Sequence, residues 1–312
     1  MAGVGRVGVR WDPRWSPDQV LEIAPRVEEL GFDELWMVED CFSGGGLTTS
    51  AAALACTERL RVGVGLLPTP VRNPAIAAME IASLARMFPG RFMPAFGHGV
   101  GAWMEQISAR PERRLTQLEE TLAAIRALLH GERLTVAGSY VGLTDVELEH
   151  KPEQPPPVLV GTTGPRGLAV AGRVADGIVI PEIATPDAVR WARSAAAAGG
   201  DPGTVVVYSY LSLADDAEEG IAAAKPLVEK WMQSGDFPDM AEQAGLGRDG
   251  RGPFDEATLQ SIAVAGDAES GVRTVRGLFD AGADSVVVLP RHDDSSHQLE
   301  AFAERVLPAL RD

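Results

Sequence analysis

Cysteine is nearly absent from this sequence: Cys41 and Cys56 are the only two in 312 residues. No disulfide framework is expected, and the compartment that suits such a chain is a reducing cytoplasm. Basic residues are also scarce. Lys and Arg number 28 against 44 Asp and Glu, a formal net charge of −16. That field repels phosphate backbones and anionic lipid, so nucleic acid and membrane surfaces are set aside as partners. It leaves room for a small anionic ligand, which convergent backbone N–H groups can bind whatever the global charge. No apolar run is long enough to cross a bilayer. The opening MAGVGRVGVRW is a glycine-spaced strand pattern, not a basic segment followed by an apolar one. The five histidines, His98, His130, His150, His292 and His297, show no zinc-ligand spacing, and no metal site is expected. His292-Asp293-Asp294 reads as a solvated loop.

What is present is a soluble globular composition, 45% hydrophobic and 23% charged, with ample material for a core. Strand-like and helix-like segments alternate along it. Residues 6–11, 34–38, 60–68 and 91–97 read as four strands, the third with the near-continuous apolar character of a buried parallel sheet. Between them, a helix opens at Ser16-Pro17-Asp18 and stops at Gly31, another spans about 47–58, and a third runs from Asn73-Pro74 to Met87. After a long helix at 112–130, the segment 132–150 alternates like a β-hairpin turning near Gly138-Ser139. Strands five to eight follow at 158–161, 177–181, 204–213 and 284–290. The stretch between the last two is too long for a plain crossover, so it is expected to hold a helical insertion at about 214–262.

Eight strands, each followed by helix, predict one α/β domain over residues 1–312. Its architecture is a (β/α)8 TIM barrel with a hairpin excursion after strand 4 and a helical insertion between strands 7 and 8. The rival is an open doubly wound sheet. GHGVG at 97–101 looks superficially like a dinucleotide loop, but it follows the fourth strand and does not open the first βα unit.

In a barrel, function sits on the loops after the C-terminal strand ends. The most informative is GTTGPRGLAVAGRV from residue 161. Gly161 and Gly164 allow backbone N–H groups to converge at a helix N-terminus, Thr162 and Thr163 add hydroxyls, and Pro165 starts the helix without wasting a donor. This is a phosphate nest or, more plainly, an ordinary capped βα turn.

Four segments then add up. LGFDELWMVED, RVGVGLLPTPVRNPAIAAMEIASLARMFPGRF, GTTGPRGLAVAGRVADGIVI and VAGDAESGVRTVRGLFDAGADSVVVLP occur in that order. Together they resemble the bacterial luciferase-like flavin-dependent oxidoreductases. The resemblance runs nearly the whole chain and is weakest from about 212 to 260. It implies a homodimeric barrel enzyme using the deazaflavin coenzyme F420 or, alternatively, FMN, on a small-molecule substrate. It also implies a non-proline cis peptide near Gly65-Leu66, against the cofactor's central ring. The implied cofactor contacts are Asp40, Cys41, Gly65, Leu66, Leu67, Gly97, His98, Gly99, Gly161, Thr162, Thr163, Gly164 and Pro181.

The departures from the family matter more. Relatives that oxidise alcohols or sugar phosphates have Asp-His after strand two and a Glu after strand four. Here those places hold Asp40-Cys41 and Val100. Asp40 and His98 are left as the candidate catalytic residues, since imidazole titrates near neutrality. Cys41 has no adjoining base and is expected to be a thiol in the cofactor wall. Loss of the alcohol-oxidising pair favours hydride transfer that reduces C=C or C=N bonds. An FMN-dependent monooxygenase and a non-catalytic flavin-binding protein are the alternatives.

Overall fold

A computed structural model describes residues 5–232 and 237–311. Residues 1–4 of the opening segment and 233–236 of the expected insertion therefore lie outside the described residues. The strands are β1 (Arg6–Arg10), β2 (Glu34–Met37), β3 (Arg61–Pro68), β4 (Phe92–Gly97), β5 (Leu134–Ala137), β6 (Gly142–Val146), β7 (Leu159–Gly161), β8 (Gly177–Ile180), β9 (Thr204–Leu213), β10 (Val264–Gly266) and β11 (Ser285–Pro290). Eight of them close a parallel ring in the order β11-β1-β2-β3-β4-β7-β8-β9, with β9 returning to β11. The fold is a (β/α)8 TIM barrel.

Local chemistry sets the helix starts. Asn73 and Thr185 accept backbone N–H bonds from Ala75 and Ala188, each with Pro at the first helical position. Gly31 takes φ of 87° just past Val20–Glu29, a conformation that glycine adopts without steric cost. The excursion is the antiparallel β5–β6 hairpin. Between β9 and β11 lie the helices Ala217–Met232, Pro238–Gln243 and Glu256–Ile262, then β10, which the sequence pattern did not reveal. Three residues are too few for a period. β10 exists because β9 is long: its start bonds to β8, while Leu211–Leu213 bond to Val264–Gly266.

Side chains facing into the barrel stand in layers. At the bottom, Glu34 is fully buried and accepts bonds from Arg6 Nε at 2.7 Å, Trp36 Nε1 at 2.8 Å and Ser285 Oγ at 2.7 Å. Arg61 lies 3.5 Å from the same carboxylate. Above it Trp36 and Tyr208 meet edge to face, with centroids 5.8 Å apart. Glycines make this possible. A Cβ on Gly63 would stand inside the Trp36 indole, and one on Gly65 would meet the Tyr208 hydroxyl. The larger apolar core lies outside the ring, between strands and helices.

Candidate active site at the barrel mouth

The C-terminal ends of β1, β2, β8, β9 and β11 bring together groups that are far apart in sequence. Arg10, the last residue of β1, is partly buried and forms an ion pair with Glu182 at 3.2 Å, where Glu182 is 3% exposed just past β8. The Arg10 guanidinium lies over the Tyr208 ring, 5.6 Å from its centroid. Burial alone would lower the Arg10 pKa, but Glu182, Tyr208, Asp40 and Tyr210 surround it and hold it above its usual value. The carboxyl of Asp40 is pushed up, first by burial and then by Asp12, against the pull of Arg10. Burial likewise raises both tyrosine hydroxyls.

The loop bearing Asp40 is pinned by its neighbour. Glu39 accepts a bond from Gly46 N at 2.9 Å, at the start of the helix Gly46–Ala55, and one from Arg72 Nη2 at 2.7 Å. The loop contains a cis Cys41–Phe42 peptide, and β3 carries a cis Gly65–Leu66 peptide at the position the resemblance implied. A shift of register between Val64 and Leu67 relative to β4 marks the same place.

Leu66 lies across the ends of β4 and β7. A Cβ on Gly97 would come within 2.7 Å of its Cδ1, and one on Gly161 would fall inside the same isobutyl group. These glycines thus leave room for an apolar shelf, a use of Gly161 that the sequence did not reveal. Leu67 points the other way, fully buried in the outer core, so only its backbone is available at the mouth. Gly99 has φ of 71° and backs onto Met104, which is buried in the short helix Gly101–Gln106. Pro181 accepts a bond from Ile183 N and precedes Glu182 directly.

At the tip of β7, Gly164 caps the helix Pro165–Val174 with φ of −95°, so its role is space, not backbone freedom. Near a Cβ built there only Asp239 Oδ2 is found, 3.6 Å away. Asp239 lies in the helix Pro238–Gln243 between β9 and β10, and its other oxygen pairs with Arg248 at 2.6 Å. A carboxylate thus already stands beside this helix N-terminus, where partial positive charge favours an anion. Thr162 turns its hydroxyl over the first turn, into space left by Gly167, while Thr163 lies beside it, partly exposed.

His98 follows β4 and is partly buried. Burial, then Arg114, brings its pKa down to about 4, so the ring is neutral at physiological pH. Its Nδ1 has no partner among the described residues, as is true of the Tyr208 hydroxyl. Burial, then Glu39 and Asp40, raises the Cys41 thiol, which is the reverse of an activated nucleophile. A groove of about 480 Å³ lies to one side, lined by Ser212, Arg291, His297 and Arg305 among others, and does not contain these groups.

The sequence profile of the luciferase-like monooxygenase family matches residues 5–285. The chain belongs to that family. It is 32% identical over 283 residues to the 5,10-methylenetetrahydromethanopterin reductase of Methanolobus tindarius, a match covering 88% of this chain and 84% of that one. It is 27% identical over 323 residues to the F420-dependent glucose-6-phosphate dehydrogenase of Microbacterium testaceum, covering 96% and 95%. The solved coenzyme F420-dependent tetrahydromethanopterin reductase of Methanopyrus kandleri superposes with a TM-score of 0.83 at 22% identity, over 98% of this chain and 99% of that one. At that identity the likeness establishes the shared fold.

Within this luciferase-like frame, the structure adds residues that sequence patterns missed: Arg10, Asp12, Glu182, Tyr208, Tyr210 and His292. Some left a faint trace. Arg10 lies two residues beyond Gly8 on the inward face of β1, and Tyr208 and Tyr210 repeat at the strand period of two. Nothing in one dimension places Glu182 beside Arg10.

Proposed function

We propose that this chain is an F420-dependent oxidoreductase, a reductase of C=C or C=N bonds in a small organic substrate. The observation that carries this is the similarity, over most of its length, to proteins named for F420-dependent hydride chemistry. The residues fit such a coenzyme. The N–H groups around Gly164 and the helix behind it would hold a phosphate, and Leu66 would back the ring system. The unpaired Tyr208 hydroxyl and His98 Nδ1 would offer hydrogen bonds. When bound, the deazaflavin supplies or accepts a hydride at a ring carbon and is a poor activator of oxygen.

What the chain lacks sets the direction. Cys41 stands where alcohol-oxidising relatives have a proton-accepting His, and its thiol is held protonated. Val100 is 46% exposed and carries no proton. Hydride transfer needs contact and orientation, which Leu66 and the Arg10–Glu182 pair can give without a sealed chamber. Turnover is therefore expected to be independent of oxygen, with deuterium carried from the reduced deazaflavin into product. Retention of FMN with stoichiometric oxygen consumption would replace this proposal with a monooxygenase.

The proposed setting is the cytoplasm, with a second copy of the chain as partner. Ile76, Met79 and Met87 are 50%, 50% and 60% exposed along one face of the helix Pro74–Met87, a stripe that a solvated helix does not need. Light scattering at micromolar concentration is expected to give twice the monomer mass, and a monomer would refute the pairing.

A further inference from the structure

We propose that His292, oriented by buried Asp12, is the residue that transfers the proton accompanying hydride transfer. This rests on the oxidoreductase proposal above. Asp12 follows β1 by two residues and His292 follows β11 by two. Those strands are neighbours in register, Val9 opposite Val288, so the two side chains meet on the C-terminal face. His292 Nδ1 lies 3.0 Å from Asp12 Oδ2.

The charge states follow from the partners. Asp12 is 1% exposed, yet it accepts Arg14 N and Nε at 2.9 Å on one oxygen and Arg14 Nη2 at 2.7 Å on the other. Burial would raise its pKa, but those bonds and the one from His292 hold it below the usual carboxylate range. An ionised carboxylate only accepts hydrogen bonds, so His292 Nδ1 must carry the proton of the neutral ring. The lone pair then sits on Nε2, which has no hydrogen bond among the described residues. The side chain is 41% exposed, so the ring is reachable from the mouth.

The bond adds little to stability at such exposure. Arg14 alone neutralises Asp12. What the bond does is fix the tautomer and direction of the ring, the relation of an orienting carboxylate to a general acid–base histidine. The pair also adjoins the centre of the mouth: Asp12 is near enough to Asp40 to raise its carboxyl, and Arg14 is near enough to Tyr210 to act against its rise. His98, the other histidine of the mouth, is partly buried and stays neutral.

In reduction, the substrate gains two electrons and one hydrogen as hydride from the reduced deazaflavin. The Nε2–H of the His292 imidazolium gives its proton to the atom left electron-rich, and water then reprotonates the ring. The sum is one H2 added across the double bond and one coenzyme oxidised. In the reverse direction the neutral Nε2 takes the proton.

The test uses the full chain with reduced F420 and cyclohexenone or a cyclic imine as probes, without oxygen. His292→Ala is expected to lower kcat at least 100-fold, with coenzyme Kd within about twofold of wild type and partial rescue by added imidazole. Asp12→Asn is expected to lower kcat about tenfold and to abolish the Nδ1–H tautomer seen by NMR of the labelled histidine ring. Turnover of His292→Ala within threefold of wild type would overturn the assignment. Wild-type protein that binds F420 but turns over neither probe would sink the reductase proposal instead. The NMR arm then decides the His292 pair: a ring not protonated on Nδ1 at neutral pH refutes it, and an Nδ1–H tautomer lost in Asp12→Asn supports it.

Discussion

Replacing Glu34 with alanine is expected to remove about 3–5 kcal/mol of folding stability, the usual cost of breaking a buried ion pair by deleting one partner. Glu34 is fully buried at the foot of the barrel, and four groups converge on it. Without it, the partly buried Arg6 and Arg61 are left as like charges with no counter-ion between them, while the buried Trp36 N–H and Ser285 hydroxyl lose their acceptor. A buried donor without a partner costs about 1–3 kcal/mol by itself. Urea unfolding measures the loss. Glu29→Ala is the comparison, since the Arg26–Glu29 pair is exposed on both sides and its removal is expected to cost less than about 1 kcal/mol. A loss below about 1 kcal/mol for Glu34→Ala would mean that water replaces the carboxylate and that the bottom layer is not closed.

Replacing Gly164 with aspartate is expected to weaken F420 binding at least fiftyfold, about 2.3 kcal/mol. A second carboxylate would then stand beside Asp239 at a helix N-terminus proposed to bind phosphate, so repulsion would replace a charge-assisted bond. The space is open, so folding is expected to survive. Asp239→Asn moves the other way: it removes the negative neighbour and frees Arg248 for the incoming anion, and affinity is expected to rise. Fluorescence titration with F420 measures both. Equal affinity of folded Gly164→Asp and wild-type protein would refute the phosphate assignment, whatever the Glu34 variant does.

Much of the architecture was legible because each device is local. Asn73-Pro74 and Gly164-Pro165 start helices by chemistry confined to a few residues, and Gly31 ends one by a backbone conformation open to glycine. The apolar run at 60–68 reads as a buried parallel strand because both of its faces are covered. β10 was not legible, since Val264–Gly266 is a strand only by virtue of the overhang of β9. Nor was the purpose of Gly63 and Gly65, whose missing side chains make room for Trp36 and Tyr208 from other strands.

The candidate site divides along the same line. Asp40, Cys41, His98 and the turn at Gly161–Gly164 could be named from the sequence, because position at a strand end and resemblance to a family are both one-dimensional properties. Their states could not. The neutrality of His98, the raised Asp40 carboxyl and the raised Cys41 thiol come first from burial, which only the folded chain imposes. Glu182 meets Arg10, and His292 meets Asp12 across 280 residues, only because closing the ring sets the ends of β8, β11 and β1 around one mouth. The sequence by itself determined the order of strands and helices, the family and the side chains available for chemistry, since those depend on neighbours along the chain. The tertiary structure alone decided which of those side chains touch, which are charged and which face the mouth, since electrostatics and packing act through space.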